Sequence, residues 1–201
     1  MSLKYKLPHF NEAKAVQIAG FFLRLAGGEM NYMKLVKLMY LVDRTALAEW
    51  GRSLTYDEMY ALKHGPILSF VLDLIDEGVP PNSESIWCQH ISPPSSYEIK
   101  LIKETLTTKL SRAEKNLIGR VFEQYGHLGH WELVELLHRI LPEWKNPASS
   151  RYTITYHEIL KFEGWSDEEI SSVDDDFESV ATMDAVLSGR NINMDEVLAV
   201  A

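Results

Sequence analysis

The stretch KLVKLMYLVDRTALAEWGRSLTYDEMYALKHGPI, residues 34–67, decides how this chain is read. Its first half is a helix. Val36, Leu38, Tyr40, Leu41 and Leu47, with Met33 before them and Trp50 after, leave little room for a wide polar face, so this helix is central and largely surrounded. Asn31 supplies a capping oxygen at its start and Gly51 ends it. The second half fits neither period cleanly: Leu54, Tyr56, Met59 and Leu62 are spaced for neither helix nor strand. Gly65-Pro66 closes the stretch as a rigid corner, because the proline ring fixes its own φ and disfavours the helical region for the residue before it. Pro66 then reads as the first helical position of ILSFVLDLIDEG, with Gly78 as the stop and Val79-Pro80-Pro81-Asn82 as a loop.

Outward from this stretch, further helices follow. Asn11 caps a periodic run whose apolar positions are Ala15, Ile18, Ala19, Phe22, Leu25 and Ala26, stopped by Gly27-Gly28. Ser111 with Glu114 forms a capping-box match that opens a helix to about Tyr125, and Gly126-His127-Leu128-Gly129 links it to a second helix, His130 to Ile140, broken by Pro142. Residues 145–153 are polar and read as exposed, Tyr156 to Phe162 as a short helical or irregular piece. Ser166 with Glu169 starts a last helix with a break expected near Asp174, and the final NINMDEVLAV is expected to fray. Ile86–Ile91 and Tyr97–Ile102 are strand candidates joined by the turn-rich SPPSS. The second reads equally well as helix, and Leu54–Tyr56 is a candidate third strand. The expected fold is mainly α: a helical domain with a small antiparallel hairpin or three-stranded sheet. Residues 1–157 are expected to form that domain, with 158–201 an acidic helical extension packed on it.

Composition bounds the function. At 201 residues, 46% apolar and 24% charged, the chain can bury about 70% of its surface in one cooperative core. No apolar run approaches the about 18 residues that span a bilayer, and MSLKYKLPHF has no apolar signal core. The single cysteine, Cys88, makes neither an internal disulfide nor a thiolate cluster, so a reducing cytoplasm is expected. The net charge of -9 is unevenly placed: residues 158–201 hold 12 acidic and 2 basic groups, residues 1–157 hold 17 and 18. A nucleic-acid footprint would need a dense basic patch, and Lys34, Lys37, Arg44, Arg52 and Lys63 are dispersed, as are Lys100, Lys103, Lys109, Arg112, Lys115 and Arg120.

Catalytic constellations are weak. No phosphate-binding loop, dinucleotide fingerprint, nucleophile elbow or zincin motif occurs. His127 and His130, with Glu132 and Glu135, sit at a turn and a helix start, where capping and packing by His130 and Trp131 explain them without a metal; His138 near a helix C-terminus needs no ligand either. Cys88 and His90 lack a third group and oxyanion donors. Asp174-Asp175-Asp176 lacks calcium-loop spacing. No metal, cofactor or catalytic residue is assigned. The helix pair 111–140 has the outline of a helix-turn-helix, but its second helix begins with His130, Glu132 and Glu135 rather than with groups that approach phosphate.

The motifs of the central stretch carry a resemblance. K-L-V-K-L-M-Y at 34–40, G-R-S-L at 51–54 and A-L-K-H-G-P-I at 61–67 together resemble the Panacea domain, also described as the SocA-like or phage-associated GepA-like domain, with its K-L-x-K-L-x-Y helix, G-x-x-L and A-x-x-x-G-P-V corner. Lys34, Leu35, Lys37, Leu38 and Tyr40 match the first element, Gly51 and Leu54 the second, and Ala61, Lys63, His64, Gly65, Pro66 and Ile67 the third, with Ile67 where valine is usual. L-S-R-A-E-K at 110–115, Tyr125-Gly126, the helix from Trp131 and Trp144 after Pro142 extend the similarity over about residues 15–145, and the segment from Arg151 onward lies outside it. The resemblance implies a non-enzymatic antitoxin of a toxin–antitoxin pair that neutralises its toxin by direct binding, in some members as an adaptor to a protease. The acidic tail would suit a basic toxin. The expected contact surface surrounds the Gly65-Pro66 corner and is drawn from the exposed members of Lys37, Arg44, Tyr60, Lys63 and His64. The alternatives are a DNA-associated regulator using 111–140, and an enzyme such as a hydrolase with a pocket holding His64, Cys88 or His90.

Overall fold

The computed structural model describes residues 7–76, 85–147 and 150–187. Helix α1, Glu12–Leu25, starts where the Asn11 side chain accepts the Lys14 amide, and it ends before Gly27 and Gly28, both at positive φ. Strand β1, Glu29–Asn31, leads directly into α2, Tyr32–Trp50, capped by the Asn31 side chain and closed by Gly51 in the left-handed conformation. Eleven residues of α2, from Leu35 to Leu47, are buried, so it is the central helix its composition demands. Helices α5, Arg112–Tyr125, and α6, His130–Ile140, pack against it, as does α7, Tyr156–Phe162. Helix α8, Asp167–Leu187, is continuous through Asp174 and buries Ile170, Val173, Phe177 and Ala181 along one stripe.

The irregular stretch after Gly51 is organised around two buried carboxylates. Asp43 accepts the Leu54 and Thr55 amides and the Ser53 and Thr55 hydroxyls. This knot holds Tyr56 at φ 54, a left-handed conformation that bulky side chains rarely adopt. Asp57 then accepts the Phe70 and Val71 amides at 2.9 and 3.0 Å, capping α3, Ser69–Asp76, from a distance in sequence. Between these points the chain forms β2, Met59–Leu62, and β3, Gly65–Leu68, a hairpin in which Ala61 faces Pro66. Pro66 is therefore a strand residue and not the first residue of a helix; the helix begins three residues later because Asp57 and the Glu58 carbonyl satisfy its first amides there.

The strands correct two expectations and bear out a third. Strand β5, Tyr152–Ile154, pairs with the other edge of β2, giving the order β3-β2-β5, so the third strand comes from 152–154 and not from Leu54–Tyr56. Within Ile86–Ile91, Trp87–His90 is a helical turn, α4, whose first amide is taken by the Glu12 carboxylate. Only the second candidate is a strand: β4, Glu98–Lys100, pairs antiparallel with β1. Gly78, the loop at 79–82 and the last residues of the chain lie outside the described residues. The fold is mainly helical with two small antiparallel sheets. No helix among the described residues is long and apolar enough to cross a membrane.

Candidate protein-interaction surface at the hairpin corner

The polar residues of the α2 motif point inward. Lys34 donates to the Gly126 carbonyl at 2.6 Å, filling the open end of α5. One turn on, Lys37 is 1% exposed and donates to the Pro66 carbonyl at 2.8 Å. Tyr40 donates to Glu143 at 2.9 Å, and Arg44 binds the same carboxylate through Nε at 2.7 Å and reaches Glu163 through Nη2 at 2.8 Å. The spacing K-x-x-K-x-x-Y thus builds a buried polar ladder that fastens α2 to the α5–α6 turn, the hairpin and the C-terminal segment. Burial drives the Lys37 ammonium down to about 7 and raises the Tyr40 phenol, which also faces the Glu143 carboxylate.

Of the seven residues expected at the contact surface, Lys63 and His64 are exposed to solvent and Tyr60 is partly so; Gly65 and Pro66 are buried beneath the turn, Lys37 is interior, and the Arg44 side chain is 12% exposed and ion-paired. Gly65 has φ 96, and a Cβ there would stand 3.4 Å from Lys37 Nζ and 3.6 Å from His138 Nε2. Glycine lets the hairpin lie directly on these two groups.

Three groups next to the turn escaped the sequence reading. Trp131, read there as a packing residue, is 51% exposed and meets the His64 ring edge-on at 5.2 Å. It lies off the Leu133–Val134–Leu137 stripe that α6 buries, and that displacement was the available signal. Arg151 stacks over the Tyr60 ring at 4.6 Å. Trp144 donates to the Leu62 carbonyl and stacks flat on His138 at 3.6 Å, bracing the hairpin from below. Cys88 and His90 are on α4, and His90 contacts the Lys103 carbonyl. Among the described residues no group of three or more His, Cys, Asp or Glu is placed to hold a metal ion.

The exposed corner combines Trp131, His64, Tyr60 and cationic side chains, a mixture of the kind that protein-recognition surfaces favour. The family follows from comparison: the model described as antitoxin SocA-like, Panacea domain, matches residues 35–145, more than half of the chain, and the chain belongs to that family. It is thereby an antitoxin-type protein with a toxin partner as its general counterpart. No curated protein and no solved structure matches it.

Proposed function

We propose that this chain neutralises a cognate toxin by direct contact, and that the contact is made at the hairpin corner by Tyr60, Lys63, His64 and Trp131. The observation that carries this reading is Trp131 itself: a large aromatic side chain half exposed and held edge-on by His64. A pre-oriented tryptophan supplies contact area at little entropic cost. Gly65 and Pro66 shape the corner and Lys37 holds it from inside, while Arg44 fastens the same helix to Glu143 and Glu163. The partner is proposed to be basic, because α8 carries eight acidic residues and no basic one, which would steer a cationic protein toward the complex.

The test is co-expression with the toxin encoded beside this chain. Trp131→Ala with His64→Ala is expected to abolish protection while the thermal unfolding midpoint stays within a few degrees. Full protection by a folded double variant would overturn the assignment of the surface.

A further inference from the structure

Beneath the corner lie two nitrogens with no ion-pair partner among the described residues. Lys37 is buried at 1% exposure, donates one hydrogen bond, to the Pro66 carbonyl, and pairs with no carboxylate among the described residues. An ammonium has three donors. His138 Nε2 is also buried and has no hydrogen-bond partner among the described residues. Both atoms border the place where Gly65 lacks a side chain. The His64 ring is exposed on the turn nearby: burial first, then electrostatic interaction with Lys37 and His64, holds His138 below the usual imidazole range. Glu135, on the exposed face of α6, acts on His138 in the opposite sense. A buried cation without a partner is costly, and an orphaned ring nitrogen beside it adds to that cost.

We propose that the Gly65 corner is a carboxylate-binding site, in which Lys37 Nζ and His138 Nε2 take the oxygens of an acidic side chain presented by the partner protein, with His64 at the rim. An entering carboxylate supplies an acceptor for the spare Lys37 donors and for a protonated His138 Nε2, and makes both contacts charge-assisted hydrogen bonds. Trp144, stacked on His138 and bonded to Leu62, fixes the ring that receives it. The identity of the partner rests on the antitoxin reading; the site's affinity for a carboxylate does not.

Acetate is the probe. The His138 ring is followed by NMR at pH 6 with increasing acetate, chloride holding the ionic strength constant. Saturable shifts are expected, with the apparent His138 pKa rising by about one unit at saturation. In Lys37→Met, where an apolar side chain of similar length replaces the buried charge, the saturable response is expected to vanish. His138→Gln, read by the acetate-dependent rise in unfolding temperature, gives the same answer should Lys37→Met fail to fold. No saturation in the wild-type protein, or an equal response to chloride or in Lys37→Met, overturns the site. A folded Lys37→Met that has lost the acetate response yet neutralises the toxin fully overturns its use by the partner. Loss of the antitoxin reading alone leaves the acetate result standing.

Discussion

Arg44 and Glu143, 99 positions apart in sequence, form a two-point ion pair at 2.7 and 3.2 Å in which the Glu143 side chain has no solvent exposure. The same carboxylate accepts the Tyr40 hydroxyl, and the same guanidinium reaches Glu163. The central helix is thereby bolted to the chain that follows Pro142. Removing one partner leaves the other buried and uncompensated. Glu143→Ala is expected to cost about 3–5 kcal/mol, and Arg44→Met with Glu143→Met to cost clearly less than the sum of the single changes. Urea unfolding of the wild type, Glu143→Ala, the two single methionine variants and their double checks this; additive losses in the methionine set would show that the pair does not act as a unit.

Lys37 gives the stability curve an alkaline arm. Its folded-state pKa, about 7, lies below the 10.5 of a free lysine. Below pH 7 the side chain is charged in both states and the burial penalty is complete. Between about 7 and 10.5 the unfolded chain holds a proton that the folded chain has released, so stability rises with pH, and above that range the effect is constant. The gain is at most about 5 kcal/mol. Unfolding free energies at pH 6.5 to 10 are expected to climb in the wild-type protein and to climb less in Lys37→Met; parallel curves would mean that Lys37 does not carry the dependence.

The helices were legible because their signals are local. Asn11, Asn31 and Ser111 stand beside the amides they cap, and Gly51 stands where α2 ends. What the sequence hid depends on distant partners. Pro66 suits a helix start, but α3 takes its cap from Asp57, thirteen residues before Phe70. Ile86–Ile91 has strand composition, but Glu12 caps Trp87 and turns the segment helical. Lys37 and Arg44 resemble surface cations until Pro66 and Glu143 are brought to them. Trp131 was readable in principle, because it stands off the buried stripe of its own helix.

Asp43 is expected to be the most sensitive polar residue of the irregular stretch. It is fully buried and satisfies two amides and two hydroxyls, while burial raises its carboxyl above the usual range. Asp43→Ala orphans these donors and releases Tyr56 from its left-handed turn, at a cost of about 2–4 kcal/mol. Asp43→Asn keeps an acceptor and is expected to lose less. The test is the ranking of the two melting temperatures, and equal losses would contradict the knot.

The chain after the family match is built into the core. Strand β5 pairs with β2, the Tyr156 hydroxyl donates to the Asp57 carbonyl at 2.9 Å, and Phe177 sits edge-on to Tyr56 and Tyr156 at 1% exposure. Ile154, Tyr156, Ile159, Leu160, Ile170, Val173 and Phe177 are all buried. At about 1.5–3 kcal/mol each, their loss is on the order of the whole stability of a domain. A protein ending at residue 147 is therefore expected to lose its near-ultraviolet circular dichroism and its cooperative unfolding. A truncated chain that melts cooperatively near the wild-type temperature would make these contacts dispensable.

Gly51 tests the same junction at a single atom. It closes α2 at φ 67, a conformation that strains any L side chain, and an added Cβ would stand 2.9 Å from Val173 and 3.1 Å from the Trp165 ring. Trp165 cannot simply retreat, since its indole donates to the Ala48 carbonyl at 3.2 Å. Gly51→Ala therefore combines backbone strain with a clash against α8, and is expected to cost about 1–3 kcal/mol. The damage should fall on one side: amides of α7 and α8 are expected to exchange faster with solvent, while those of α1 and α5 keep their protection. Uniform loss of protection would mean that Gly51 matters to the fold as a whole and that α8 is no separately yielding element.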